Sequence, residues 1–206
     1  MIVTMITPAY QQWYILMSKT VKMFGPKPLT TIYYDERYNG MHSICVMKPI
    51  IIQSFLYMTK MGDEVCWLDA DCVMLRMDWP VLDPAANLAI LYRPSEPTKT
   101  RYNAGVILLR NSPITQRFVN KWKRITLERY LHHEELWKKE LWDQGCFYDA
   151  LHGMNNQINI QHLEERFNRI RMEPDEDTVI FHFADWKREP GMYDNIVDHI
   201  GLKGLV

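Results

Sequence analysis

Apolar residues in this chain follow two rhythms. Ile2 to Ile6 is a short β-branched run. From Gln11 the apolar positions Trp13, Leu16, Met17, Val21 and Phe24 repeat at helical spacing until Gly25-Pro26 stops them. A second run, Leu29 to Tyr34, ends at Asp35-Glu36. Pro49 suits the first residue of another helix, whose buried face is Ile51, Ile52, Phe55 and Leu56 and whose C-terminal cap is Gly62. An apolar strand with two aspartates follows, Val65 to Leu75. The first third of the chain therefore reads β-α-β-α-β, the alternation of a parallel sheet flanked by helices.

The second half continues less regularly. Leu88 to Tyr92 predicts a strand, and the Pro-, Ser- and charge-rich stretch from Arg93 to Tyr102 a mobile loop. Ala104 to Leu109 is a further strand. Asn111-Ser112-Pro113 then opens a helix with Phe118, Trp122 and Ile125 on one face. His132-His133-Glu134-Glu135 is a solvated turn rather than a metal cluster, because adjacent helical residues do not share a face. Leu141-Trp142-Asp143-Gln144 begins a helix that ends near Gly153. Ile158 to Leu163 and Thr178 to Phe183 are late strands, and the tail from Asp185 mixes charges with Trp186, Pro190 and Tyr193. No repeat or linker divides the chain, so one α/β domain over residues 1–206 is expected.

Composition narrows the partners. With 47% hydrophobic residues the chain can bury a core, and a formal net charge of -1 argues against general nucleic-acid binding. The four cysteines form no CxxC pair, and Cys66 and Cys72 sit in apolar sequence as small buried hydrophobes, which fits a reducing, cytoplasmic setting. The N-terminus lacks the pattern of a signal peptide, and no apolar run reaches the length of a membrane span. A membrane role would need a partner or a longer polypeptide.

The candidate chemistry centres on Asp69 and Asp71. Residues two apart on an extended strand share a face, so both carboxylates can converge on one hard divalent ion, magnesium or manganese. An exposed pair at a strand end is the plain alternative. In parallel sheets ligands bind beyond the carboxyl ends of strands. Thr7 to Tyr10, Asp35 and the Asp69/Asp71 pair all fall at such ends.

Four motifs occur in order: Trp67-Leu68-Asp69-Ala70-Asp71, Tyr102-Asn103-Ala104-Gly105-Val106, Trp142-Asp143-Gln144 and Phe181-His182-Phe183. Together they resemble the metal-dependent nucleotide-sugar glycosyltransferases of the GT-A fold. The likeness is to the retaining galactosyltransferase and glycogenin-like group and, more loosely, to glycosyltransferases of chlorella viruses. It implies a single nucleotide-diphospho-sugar transferase domain with a mostly parallel central sheet flanked by helices. Residues 1–92 would be its nucleotide-binding half and 93–206 its sugar and acceptor half.

The resemblance also assigns roles. Asp69, Asp71 and His182 would hold Mn2+ or Mg2+, the nitrogen ligand favouring manganese, with Asp71 on the metal and Asp69 on metal or ribose. Asn103 and Ala104 would meet the donor sugar, Asp143 its hydroxyls, and Gln144 would lie under the anomeric carbon. Lys187 corresponds loosely to a diphosphate-binding lysine, across Ala184-Asp185-Trp186 where the family has glycine. Thr7, Ala9, Tyr10 and Asp35 would line the nucleotide of a UDP-sugar donor. Lys48 would approach a phosphate or the sugar, or stand exposed beside the second helix. Read without the family, His182 is a core histidine, Asp143 a helix N-cap and Tyr10 a core-facing cap. Trp186 is a candidate stacking platform for a sugar. The acceptor, a glycan or glycoprotein, falls to loops such as Pro94 to Arg101 and the tail.

Retention of configuration leaves two routes: a covalent intermediate with Asp143 as the better-charged nucleophile, or same-face attack in which the departing phosphate takes the acceptor proton. An inverting enzyme would need a base, for which Asp185 or Glu96 are the available carboxylates. Three other readings compete. Asp69-Ala70-Asp71-Cys72-Val73 also fits the DxDx[TV] strand of haloacid-dehalogenase-type phosphohydrolases, although two β-α units precede it here. A sugar-nucleotide pyrophosphorylase would want a Gly-rich basic segment where Thr7-Pro8-Ala9-Tyr10 stands. A non-catalytic nucleotide-sugar-binding module would keep the same ligands.

Overall fold

The computed structural model describes residues 1–34, 42–132, 142–170, 174–183 and 197–198, with residues 42–44 and 142 described by backbone alone. Asp35, the stretch His133-Glu134-Glu135, Asp185, Trp186, Lys187, Pro190 and Tyr193 lie outside the described residues. The strands are β1 (Ile2–Ile6), β2 (Leu29–Tyr33), β3 (Glu64–Leu68), β4 (Cys72–Met74), β5 (Leu88–Tyr92), β6 (Tyr102–Arg110), β7 (Ile160–Leu163) and β8 (Ile180–His182). The helices are α1 (Gln11–Phe24), α2 (His42–Met58), α3 (Pro113–His132) and α4 (Trp142–His152).

The main sheet runs β2-β1-β3-β6-β5-β7, and β4 pairs with β8 in a separate two-stranded sheet. β1 is parallel to β2 and β3, β5 is parallel to β7, and β6 is antiparallel to both β3 and β5. Reversal of this one strand matters for the site. It brings the start of β6, Tyr102 to Ala104, to the edge where its neighbours end. A register shift opposite Ile90 and Leu91 adds a bulge there, since Ile90 pairs with Ile107 and Leu91 with Asn103.

Strand alternation sorts the core into two layers. Val65 and Trp67 point to one face, where α2, α3 and α4 pack through Ile52, Leu56, Phe118, Trp122 and Phe147. Cys66 and Leu68 point to the other, against Met17 and Val21 of α1. A third cluster joins Trp13 and Leu16 to Val73, Phe181 and Phe183 beneath the small sheet. All four cysteines are free, with Cys66 and Cys72 buried as expected. Among the described residues no helix is long and apolar enough to cross a membrane.

Two expectations are corrected. Pro49 lies inside α2, which begins at His42. Burial of Val46 before it and Ile52 and Leu56 after it offsets the interior-proline cost of about 3 kcal/mol. Gly62 does not cap α2, which ends at Met58. Gly62 serves a following turn at φ +89°, and its N–H donates to the Asn111 carbonyl at 2.8 Å. The Asn111 side-chain amide covers the helix end instead, donating to the carbonyls of Leu56 (2.6 Å), Thr59 (2.9 Å) and Lys60 (3.2 Å). The segment between β5 and β6 is a loop, as expected, and it folds back on itself. The Arg93 N–H bonds to the Arg101 carbonyl at 2.7 Å, the Arg93 side chain pairs with Glu96 at 2.8 Å, and Lys99 reaches Asp149 of α4 at 3.6 Å.

Candidate active site

The two aspartates stand on a turn between sheets, not on an extended strand. β3 ends at Leu68, the Cys72 N–H bonds back to the Asp69 carbonyl at 3.0 Å, and β4 starts at Cys72 in the second sheet. Convergence of the carboxylates is therefore a product of this turn rather than of strand alternation. Two backbone bonds pin it: Asp69 N–H to the Gly105 carbonyl (2.9 Å) and Phe183 N–H to the Asp71 carbonyl (3.0 Å).

β8 runs antiparallel to β4 with His182 opposite Cys72, which delivers the imidazole to the same turn. His182 Nε2 lies 3.3 Å from Asp71 Oδ1 and 3.9 Å from Asp69 Oδ2. Ligand atoms of Asp69, Asp71 and His182 all fall within 4.8 Å of one another. Phe181 and Phe183 point the opposite way into the third core cluster, as the alternation around His182 predicts. A Cβ on Gly105 would run into the His182 ring, so glycine at this position is a condition of the histidine's placement.

Lys48 is the largest revision. Far from standing exposed at a helix cap, it is buried in α2 and joins the cluster from beneath. Its ammonium is 3.0 Å from Asp69 Oδ1 and 2.9 Å from Asp143 Oδ2, and it donates to the Ala104 carbonyl at 3.2 Å. Burial opposes the charge, but Asp143 and then Asp69 outweigh it and hold the ammonium far above the ordinary lysine range. Asp143 occupies the first turn of α4 and is buried, its carboxylate turned to Lys48. Its neighbour Gln144 is half-buried.

Asp69, Asp71 and Asp143 bring three carboxylates and Lys48 one ammonium, a remainder of two negative charges beside the His182 ring. A divalent cation would balance that remainder, and two carboxylate oxygens with one imidazole nitrogen could hold one.

Two further residues join the cluster. Trp67 donates its indole N–H to Asp69 Oδ1 at 2.6 Å. Asn168, fully buried between β7 and β8, meets both Asn103 (2.8 Å) and His182 (3.2 Å). Trp67 could have been noticed from its place two residues before Asp69, whereas nothing local marks Asn168. The remaining candidates sit at the end of β1. Thr7 is buried, and its hydroxyl makes no hydrogen bond among the described residues. Ala9 is exposed, and Tyr10 packs partly against the Trp13 cluster, as its core-facing reading expects.

The sequence model of the nucleotide-diphospho-sugar transferase family matches residues 16–197 of this chain. No curated protein matches the sequence itself. Among solved structures, the chain resembles a glycosyltransferase involved in the glycosylation of the major capsid of PBCV-1, with TM-score 0.72, 12% identity and 98% of both chains covered. It also resembles the galactosyltransferase LgtC solved with donor and acceptor sugar analogs, with TM-score 0.52, 15% identity and coverage of 98% of this chain and 95% of that one. A third likeness is to the bifunctional glycosyltransferase WbbM, with TM-score 0.60, 10% identity and coverage of 97% and 49%. At these identities the likeness is one of fold.

Proposed function

Since this chain belongs to the nucleotide-diphospho-sugar transferase family, we propose that it moves a hexose or deoxyhexose from a UDP-linked donor to a hydroxyl of a glycan or glycoprotein, with a divalent metal and with retention. The observation that carries this reading is the meeting of Asp69, Asp71 and His182 at one edge of the sheet beside the Lys48–Asp143 pair. Asp69, Asp71 and His182 would hold the ion. When bound, it would offset the charge that builds on a diphosphate leaving group.

On this reading Thr7, Ala9, Tyr10 and Asp35 take the nucleotide, and Lys187 meets the diphosphate. Residues 1–92 carry most nucleotide contacts, while 93–206 supply Asn103, Asp143, Gln144, His182 and the acceptor surface. Asn103 Oδ1 already accepts from the Gly105 N–H (3.0 Å) and from Asn168 (2.8 Å), so its amide NH2 is the group it offers a sugar oxygen. The 2.9 Å contact with Lys48 bears on the route. A carboxylate held by a buried ammonium is a weakened nucleophile, which favours Asp143 as a holder of sugar hydroxyls. Same-face attack, with the departing phosphate taking the acceptor proton, then requires no protein base. Family membership also favours transfer over the phosphohydrolase reading of Asp69-Ala70-Asp71-Cys72-Val73.

A thermal-shift panel of nucleotide sugars, each with and without MnCl2, tests the proposal. A UDP-sugar with manganese should raise the melting temperature of the wild type and leave Asp71→Ala unmoved. An equal shift in Asp71→Ala would refute the metal-dependent donor site.

A further inference from the structure

We infer that Asn168 is a positioning residue that fixes which nitrogen of His182 faces the Asp69/Asp71 pair and ties that histidine to Asn103. The inference builds on the metal reading above and concerns a residue that no motif of the chain marks.

One backbone donor fixes the orientation of the side-chain amides around it. The Gly105 N–H donates to Asn103 Oδ1 at 3.0 Å, which fixes the Asn103 amide with its oxygen towards Gly105. The Asn168 amide contacts this same oxygen at 2.8 Å, so the atom making that contact must be a donor, Nδ2. The other end of the Asn168 amide is then its oxygen, and that oxygen is the atom 3.2 Å from His182 Nδ1. A carbonyl oxygen only accepts, so Nδ1 carries a proton. The ring's remaining nitrogen, Nε2, is the one beside Asp71 Oδ1 at 3.3 Å. A histidine whose Nδ1–H is held in this way presents Nε2 to a metal in a fixed direction.

The relay is rigidly held. Asn168 and Phe181 are fully buried, and the Asn168 N–H bonds to the Glu165 carbonyl at 3.0 Å. The next residue lies along β8, with Arg169 N–H to Ile180 carbonyl at 3.0 Å and His182 N–H to Arg169 carbonyl at 2.9 Å. A single amide thus sets the His182 ring by its oxygen and the Asn103 amide by its nitrogen.

Nitrogen-15 NMR of the wild type at neutral pH, without metal and with diamagnetic Mg2+, should show Nδ1 of His182 protonated in both samples. An unprotonated Nδ1 in either would overturn the proposal, and this measurement needs no variant. Manganese binding followed by EPR of the free ion should weaken about 10- to 100-fold in Asn168→Leu. Asn168→Asp keeps an acceptor for Nδ1–H but sets an oxygen against Asn103 Oδ1, so it should recover only part of the affinity that Asn168→Leu loses. Asn168→Leu binding manganese as the wild type does would sink this proposal alone. A wild type that binds no divalent ion would remove the metal reading as well, so the two failures are told apart.

Discussion

Lys48 stands between two carboxylates in the floor of the site, and removing it takes the ammonium from both. Its side chain and that of Asp143 are each 9% exposed, while Asp69 is 25% exposed. Lys48→Met keeps the length of the side chain and deletes the charge, leaving Asp143 buried without its counter-ion. Breaking a buried pair from one side costs about 3–5 kcal/mol, and partial exposure of Asp69 argues for the lower end, about 3 kcal/mol. Urea denaturation at neutral pH measures it. A change below about 1 kcal/mol would mean that water already screens the pair.

At the scale of elements, the rhythm of the chain was readable and its connections were not. Short apolar runs placed β1, β3 and β5, which are buried almost throughout, and helical spacing placed α1 and α3, which bury one stripe. The direction of β6 depends on which strands flank it, and the chain does not state that locally. The Asp pair was found for its chemistry, but its convergence was attributed to a strand, whereas a turn between two sheets produces it. Lys48 was misplaced because Pro49 reads as a helix start, and that moved the lysine outside α2. The four motifs named most of the cluster; Asn168 escaped because its partners are distant in sequence. Asn111 shows the same kind of non-local closure at the opposite edge of the sheet, where it holds the carbonyl end of α2. Asn111→Ala should destabilise the fold by about 1–3 kcal/mol, since the buried Leu56 carbonyl and those of Thr59 and Lys60 lose a donor. Manganese affinity should stay at its wild-type value, because Asn111 touches none of the ligands. Parallel loss of affinity in the folded variant would show that the two edges are coupled.

The whole molecule carries a pH dependence that its buried thiols dictate. Burial pushes Cys66 up to about 12 from 9.0, and Cys146 to about 11, with Thr126 and Arg129 partly opposing the rise. Cys72 is driven well above the ordinary range by burial and then by Asp71 and Asp69. A thiol with a raised value stays protonated in the folded state after its unfolded counterpart has ionised. Unfolding then releases protons, so stability falls as pH rises above about 9, by up to about 1.4 kcal/mol per pH unit for each thiol. Lys48 adds to the loss later: its raised value leaves its contribution intact below the unfolded lysine range, near 10.4, and erodes it only above. Unfolding free energy should therefore be flat with respect to these groups from pH 7 to about 8.5 and decline between pH 9 and 10.5. Urea titrations at pH 7.5, 9 and 10.5 measure the slope, and Cys66→Ala should make it shallower by about one thiol's share. An unchanged slope in that variant would mean that Cys66 meets water in the folded protein, against its place between Leu68 and Met17 in the core.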